Sequence, residues 1–216
     1  PGDGGTTCAA HPDALDGFSA ISIRNNNSGF STFELDGSTG DLVSPASASL
    51  SGRNSATAAI RNISGENHLN GGMSVGVGGS YYIFESLAGT LNLGGTFTSS
   101  GGSSRTLTFQ RDGNFTFKGP VTLGSATAFP ILKSGSGILT FAGTGNSFGT
   151  GSTTLNGGTL VLSGSGNLGS GALTFAAGTG LTLYQNLAFT QTVTGPGTIY
   201  NTGSCTISGN HSGFTG

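Results

Sequence analysis

The sequence predicts an all-β fold, a parallel β-helix (β-solenoid) with short strands and Gly/Asn-rich turns. Three observations carry this. Apolar residues recur at i, i+2 in short bursts, the period of a half-buried strand. Each burst ends at Gly, Asn, Ser or Pro, the residues that supply turns. Related segments then recur along the chain, as stacked coils require.

Composition limits the alternatives. Of 216 residues, Gly, Ser, Thr and Asn account for more than half (42, 29, 29 and 15). Charged residues make up 7%, with a net charge of −2. Seven Lys and Arg form no basic stripe, so nucleic-acid binding is excluded. Apolar runs such as Tyr81-Tyr82-Ile83-Phe84 are far too short to span a bilayer as a helix. The chain starts at Pro1 with no signal peptide, which reads as a processed product or a fragment. Leu, Ile, Val and Phe are frequent enough, and charge rare enough, to argue for order over disorder. Short strands and a thin core favour a coil over a sandwich, and there is no Trp for an immunoglobulin pattern.

Residues 1–20 are expected to form an N-terminal cap or junction segment. The only helical candidate lies here, at His11 to Phe18, with Pro12 suited to a first helical position. Residues 21–216 are expected to form the solenoid, about ten coils at roughly 20–25 residues each. Its strands are marked by Ile21/Ile23, Phe33/Leu35, Leu91/Leu93, Leu107/Phe109 and Phe115/Phe117. They continue at Val121/Leu123, Leu139/Phe141, Leu160/Leu162, Leu173/Phe175 and Leu181/Leu183. The residues between are mostly Thr, Asn or Val, which suit a strand's outer face.

The clearest repeat begins Gly135-Ser136-Gly137-Ile138-Leu139-Thr140-Phe141-Ala142-Gly143 and continues Asn146-Ser147-Phe148-Gly149-Thr150-Gly151. It closes with Thr153, Thr154, Leu155 and Gly158-Thr159-Leu160-Val161-Leu162. Looser copies start at Gly65 and Gly195. The stretch 134–165 resembles the autotransporter-associated β-strand repeat of bacterial surface proteins, and the likeness extends loosely over most of 60–216. The resemblance implies a right-handed parallel β-helix outside a bacterium, with an adhesive or structural role and no catalytic residues. Two features depart from it: there is no membrane barrel, and there are two cysteines.

The residues themselves offer little chemistry. All nine carboxylates precede residue 113, so the second half of the chain has none for acid/base work. Glu34 and Asp36 share a strand face and Asp41 follows a turn; a solvated edge strand accounts for them better than a metal or acid/base site. His11, His68 and His211 lie in separate contexts, and Cys8 with His11 supplies two ligands where zinc wants four. No catalytic, cofactor-binding or metal-binding residue is expected. Glycine-rich runs open no helix, so they make no phosphate site. Thr-x-Thr pairs such as Thr96/Thr98 and Thr190/Thr192 raise ice binding, yet Thr favours strand surfaces anyway. The sequons at Asn26, Asn62, Asn114 and Asn210 matter only in a host that glycosylates.

Cys8 and Cys205 lie near opposite ends of a rod of about 45–50 Å. A disulfide spans about 4.4–6.8 Å between Cα atoms, so a straight coil keeps them apart within one chain. Two copies stacked head to tail bring them together, making Cys8 and Cys205 candidates for an inter-subunit disulfide. Pro1, Gly2, Phe214 and Gly216 are the candidate junction, because the last repeat stops partway and the opening residues continue its pattern.

The expected function is therefore non-catalytic: an extracellular or cell-surface structural subunit that self-associates head to tail into a filament or matrix. An adhesin fragment displaying binding loops is the first alternative. A carbohydrate-active β-helix is the second, with Tyr81, Tyr82 and Glu85 as its only cluster. The expected partner is a second copy of the chain, with cell-surface or matrix polysaccharide as a further class.

Overall fold

In the computed structural model, the described residues are 5–26, 29–52, 56–76, 78–99, 104–124, 128–184 and 188–216. The chain winds as a parallel β-solenoid whose strands stack chiefly in three ladders, with a separate pair Ala188–Phe189 and Thr206–Ile207 near the end. The first ladder runs Gly5–Ala9, Gly29–Asp36, Ile60–Ser64, Tyr81–Ser86 and Thr106–Gln110. It goes on through Ile131–Lys133, Thr153–Leu155, Leu173–Phe175, Val193–Gly195 and Gly213–Phe214. The second starts at Ala20–Asn26 and passes through Ser47–Ser51, Met73–Val75, Phe97–Ser99, Val121–Thr122 and Asn146–Ser147 to Gly166–Asn167. The third stacks Val43–Ser44, Glu66–Leu69, Thr90–Leu93 and Asn114–Phe117. Ile138–Phe141, Thr159–Leu162, Gly180–Leu183 and Thr198–Asn201 complete it.

The turns shorten along the axis. Ser22 meets Ser49, 27 residues on, whereas Thr90 lies 24 residues from Glu66 and Thr174 lies 20 from Thr194. Within 1–20, Gly5–Ala9 is already a strand of the first ladder. The helical candidate is a single 3-10 turn, Pro12–Leu15, capped where His11 Nδ1 accepts from the Asp13 N–H at 3.3 Å.

The inward positions expected from sequence hold in every burst, although Asn92 and Thr108, which lie between such pairs, are buried as well. Nineteen of the twenty marked residues are buried, and Ile21 packs against the core from its edge. Identical register stacks them in columns. One column on the third ladder is Leu69, Leu93, Phe117, Phe141, Leu162 and Leu183. Each such side chain stabilises the fold by about 1.5–3 kcal/mol on burial. Phe117 meets Phe97 edge-on at 5.3 Å and Phe141 at 5.0 Å, so columns of different ladders interlock.

Corners are built from close backbone approach and buried amides. Gly71, Gly95, Gly119, Gly143 and Gly164 stack at one corner, where a Cβ on each would strike the backbone of the turn before it. Asn146, the asparagine of the clearest repeat, accepts from the Val121 N–H at 2.9 Å and donates to the Gly143 carbonyl at 2.7 Å. Asn67 clamps another corner, accepting from Leu42 N–H and donating to Asn62 Oδ1 and the Ser64 carbonyl. Polar groups that tight turns would orphan are paired in this way.

Candidate functional site

The charged residues sort into structural roles. Glu34, Arg61, Glu85 and Gln110 occupy consecutive outward positions of the first ladder. Arg61 bridges Glu34 at 2.7 Å and Glu85 at 2.6 Å. Glu85 also accepts from Gln110 Nε2 at 2.7 Å and from Arg111 Nε at 3.0 Å. Burial alone would raise the Glu85 pKa, but bonds from Arg61, Gln110 and Arg111 hold it below the ordinary range. Asp36 caps a turn through the Ser38 N–H and accepts from Ser64 Oγ, and its pKa is lowered chiefly by the Ser64 bond. Asp41 accepts from the Glu66 N–H. The three carboxylates of the expected edge strand thus serve three different bonds. Each is committed within the scaffold, and no shared site results.

The expected carbohydrate cluster is not a groove. Tyr82 is fully buried, with its hydroxyl donating to the Gly76 and Gly78 carbonyls, while Tyr81 faces solvent. Glu85 belongs to the ion-pair ladder. Among the described residues no group of three or more His, Cys, Asp or Glu lies together. His68 is outward on the third ladder beside Asn92.

The two cysteines sit at opposite ends and on different parts of the coil. Cys8 is exposed on the first ladder, in register with Glu34. Desolvation, then Glu34 and Asp36, push its thiol pKa up from the ordinary value. Cys205 is half-buried against the core, next to Thr206–Ile207, which pairs with Ala188–Phe189. No disulfide joins them within the chain. Of the expected junction residues, Pro1 and Gly2 lie outside the described residues. Phe214 lies on the terminal strand of the first ladder, its ring 5.8 Å from Phe175, and Gly216 packs over Gly197.

The ends of the stack are distinctive. Gly5–Ala9 is bonded on one side only, to Gly29–Asp36, and Gly213–Phe214 only to Val193–Gly195 among the described residues. Behind the first strand a cavity of about 230 Å³ opens into the coil, lined by Leu15, Phe18, Ile21, Ile23 and Phe33. Phe18 is 54% exposed. At the other end Ile199 and Phe214 are only partly buried and Ile207 is exposed.

The third ladder carries a feature that sequence reasoning missed. Tyr200 is 58% exposed and Tyr184 54% exposed. Tyr200 is in register with Thr182, and Tyr184 follows buried Leu183, so alternation turns Thr182 and Tyr184 outward together. The Tyr200 ring lies beside Gly180, within 3.7 Å of where a Cβ would stand. Comparison with known proteins finds no matching family, no matching curated protein and no matching solved structure.

Proposed function

We propose that the chain is a non-catalytic, extracellular structural rod that extends by head-to-tail self-association. One observation carries this: the first ladder is parallel from Gly5–Ala9 to Gly213–Phe214, so every strand offers the same kind of row to the next, and an apolar cavity lies behind Gly5–Ala9. A parallel edge is a template for another strand, and the two ends of one ladder offer complementary N–H and C=O rows. A heterologous contact of this kind does not close, so it propagates as a filament. The apolar mouth behind Gly5–Ala9 and the Ile207 and Phe214 side chains give such a joint something to bury. Low charge leaves little repulsion between copies. The repeat-like segment around 135–162 supports a surface location of the autotransporter-repeat kind. A Cys8–Cys205 bond across the joint is the finer form of this reading; Cys8 lies on the first ladder and Cys205 beside the separate Thr206–Ile207 pair.

Negative-stain electron microscopy of the purified chain, with and without reductant, tests it. The expected result is long uniform fibres with a repeat near about 45–50 Å. Fibres that shorten in reductant support the disulfide, and fibres indifferent to it retain the polymer and discard the bond. Short isolated rods overturn the filament and favour a segment of a longer adhesin.

A further inference from the structure

We propose that the third face of the solenoid binds a neutral polysaccharide, with Tyr184 and Tyr200 as its stacking platform. The first observation is charge. Lys133 is the last Asp, Glu, Lys or Arg in the sequence, and 83 uncharged or histidine residues follow it. On the third ladder, the outward positions from Ile138 onward are all uncharged, running through Thr140, Val161, Thr182 and Thr198; the last charge on this face is Lys118, three turns before Tyr184. An anionic or cationic polymer finds no counter-charge there, whereas a neutral one brings no charge to desolvate and can pair its hydroxyls with the Thr groups.

The second observation is aromatic. Tyrosine presents an apolar ring with a polar tip, and such rings are favoured where one face is apolar and the surroundings are wet. The apolar C–H face of a pyranose ring matches this surface, and its hydroxyls match the Thr and Asn groups around it. Two exposed tyrosines on adjacent strands, two positions apart along the strand, lie roughly 8 Å apart at Cα. That separation lets neighbouring sugar units of one chain contact both rings. Gly180 contributes by leaving no side chain under the Tyr200 ring.

The third observation is shape. Parallel strands in register give a regular surface with outward groups repeating at about 4.8 Å. An extended polymer lying along the axis meets the same kind of group at every turn. The face accordingly fits an ordered chain better than a small sugar in a pocket.

The test is retention of the full-length chain on microcrystalline cellulose, chitin and insoluble β-1,3-glucan, with alginate gel as the anionic comparison. The wild type is expected to bind at least one neutral polymer, without loss at high salt, and to ignore alginate. Tyr184→Ala/Tyr200→Ala is expected to weaken retention by roughly tenfold or more. Tyr81→Ala, which removes an equally exposed tyrosine from the first ladder, is expected to leave it unchanged. The circular dichroism melt of each variant separates lost binding from lost folding: if the double alanine variant is unfolded, Tyr184→Ser and Tyr200→Ser singly must each reduce retention. Failure to bind any neutral polymer overturns the proposal. So does salt-sensitive binding to alginate alone, or a folded double variant that binds like the wild type. Fibre formation is a separate readout, so this result does not depend on end-to-end assembly.

Discussion

Lys133 stands where the stacking pattern calls for an apolar side chain, between Phe109 and Leu155 in register and fully buried. Its ammonium reaches the corner and donates to the carbonyls of Gly135 at 2.9 Å, Ser134 at 3.0 Å and Gly157 at 3.5 Å. Burial lowers its pKa from 10.5 to about 8, and nearby Asp112 only partly opposes this. Between those values the unfolded chain binds more protons than the folded one, so Lys133 makes stability rise with pH from about 8 to 10.5. The Lys133→Met variant is expected to lose that rise and to be more stable than wild type at neutral pH, by about 1–2 kcal/mol. Urea unfolding of the two proteins across this pH range checks both points. A difference that does not vary with pH would show that the amine is solvated. This residue was present in the sequence as an unremarked lysine, because alternation shows which positions face inward only after the strand has been placed.

At the scale of strands and corners, two devices hold neighbouring turns together. The first is the glycine corner. Gly119→Ala places a methyl group against the Gly95 carbonyl, where neither backbone can give way. The expected cost is about 2–3 kcal/mol, read as a lower urea midpoint, whereas Gly145→Ala meets no neighbouring atom and pays only for its positive φ of 74°. The second is the ion-pair ladder. Removing the guanidinium in Arg61→Ala leaves Glu85 buried with only Gln110 and Arg111, at an expected cost of about 2–3 kcal/mol. In the wild type the lowered Glu85 pKa contributes stability above its ordinary value, and that stability is lost as pH falls through the folded value. Acid unfolding of Arg61→Ala is therefore expected to begin at higher pH. The strands themselves were legible, since each apolar pair spells its own alternation. The short strands Met73–Val75 and Thr153–Leu155 carry weaker signals and are held by their neighbours in the stack. The Tyr184–Tyr200 platform was not legible. Whether residues in successive turns share a face depends on turn length, and this falls from 27 residues between Ser22 and Ser49 to 18 between Gly180 and Thr198.

For the molecule as a whole, charge and edges divide the rod. The amino-terminal turns carry all the ion pairs seen among the described residues. The later turns are held by apolar columns, backbone ladders and neutral side-chain bonds such as those of Asn146. If filaments form through the open edge of Gly5–Ala9, a charge placed on that edge should block them. Thr6→Lys is expected to shorten or abolish fibres in electron micrographs while leaving the melting temperature within a few degrees, since Thr6 is exposed. Long fibres from this variant would move the joint elsewhere. The sequence by itself determined the all-β class, the period-two core positions and the scarcity of charge, because each is a local property of composition or spacing. Only the tertiary structure decided that the coil has three ladders, that the carboxylates at 34, 36 and 41 part company, that Tyr82 turns inward, and that Tyr184 and Tyr200 share a face. Those outcomes follow from register between turns, and register is set by how many residues each corner needs to bring its backbone back into hydrogen-bonding distance.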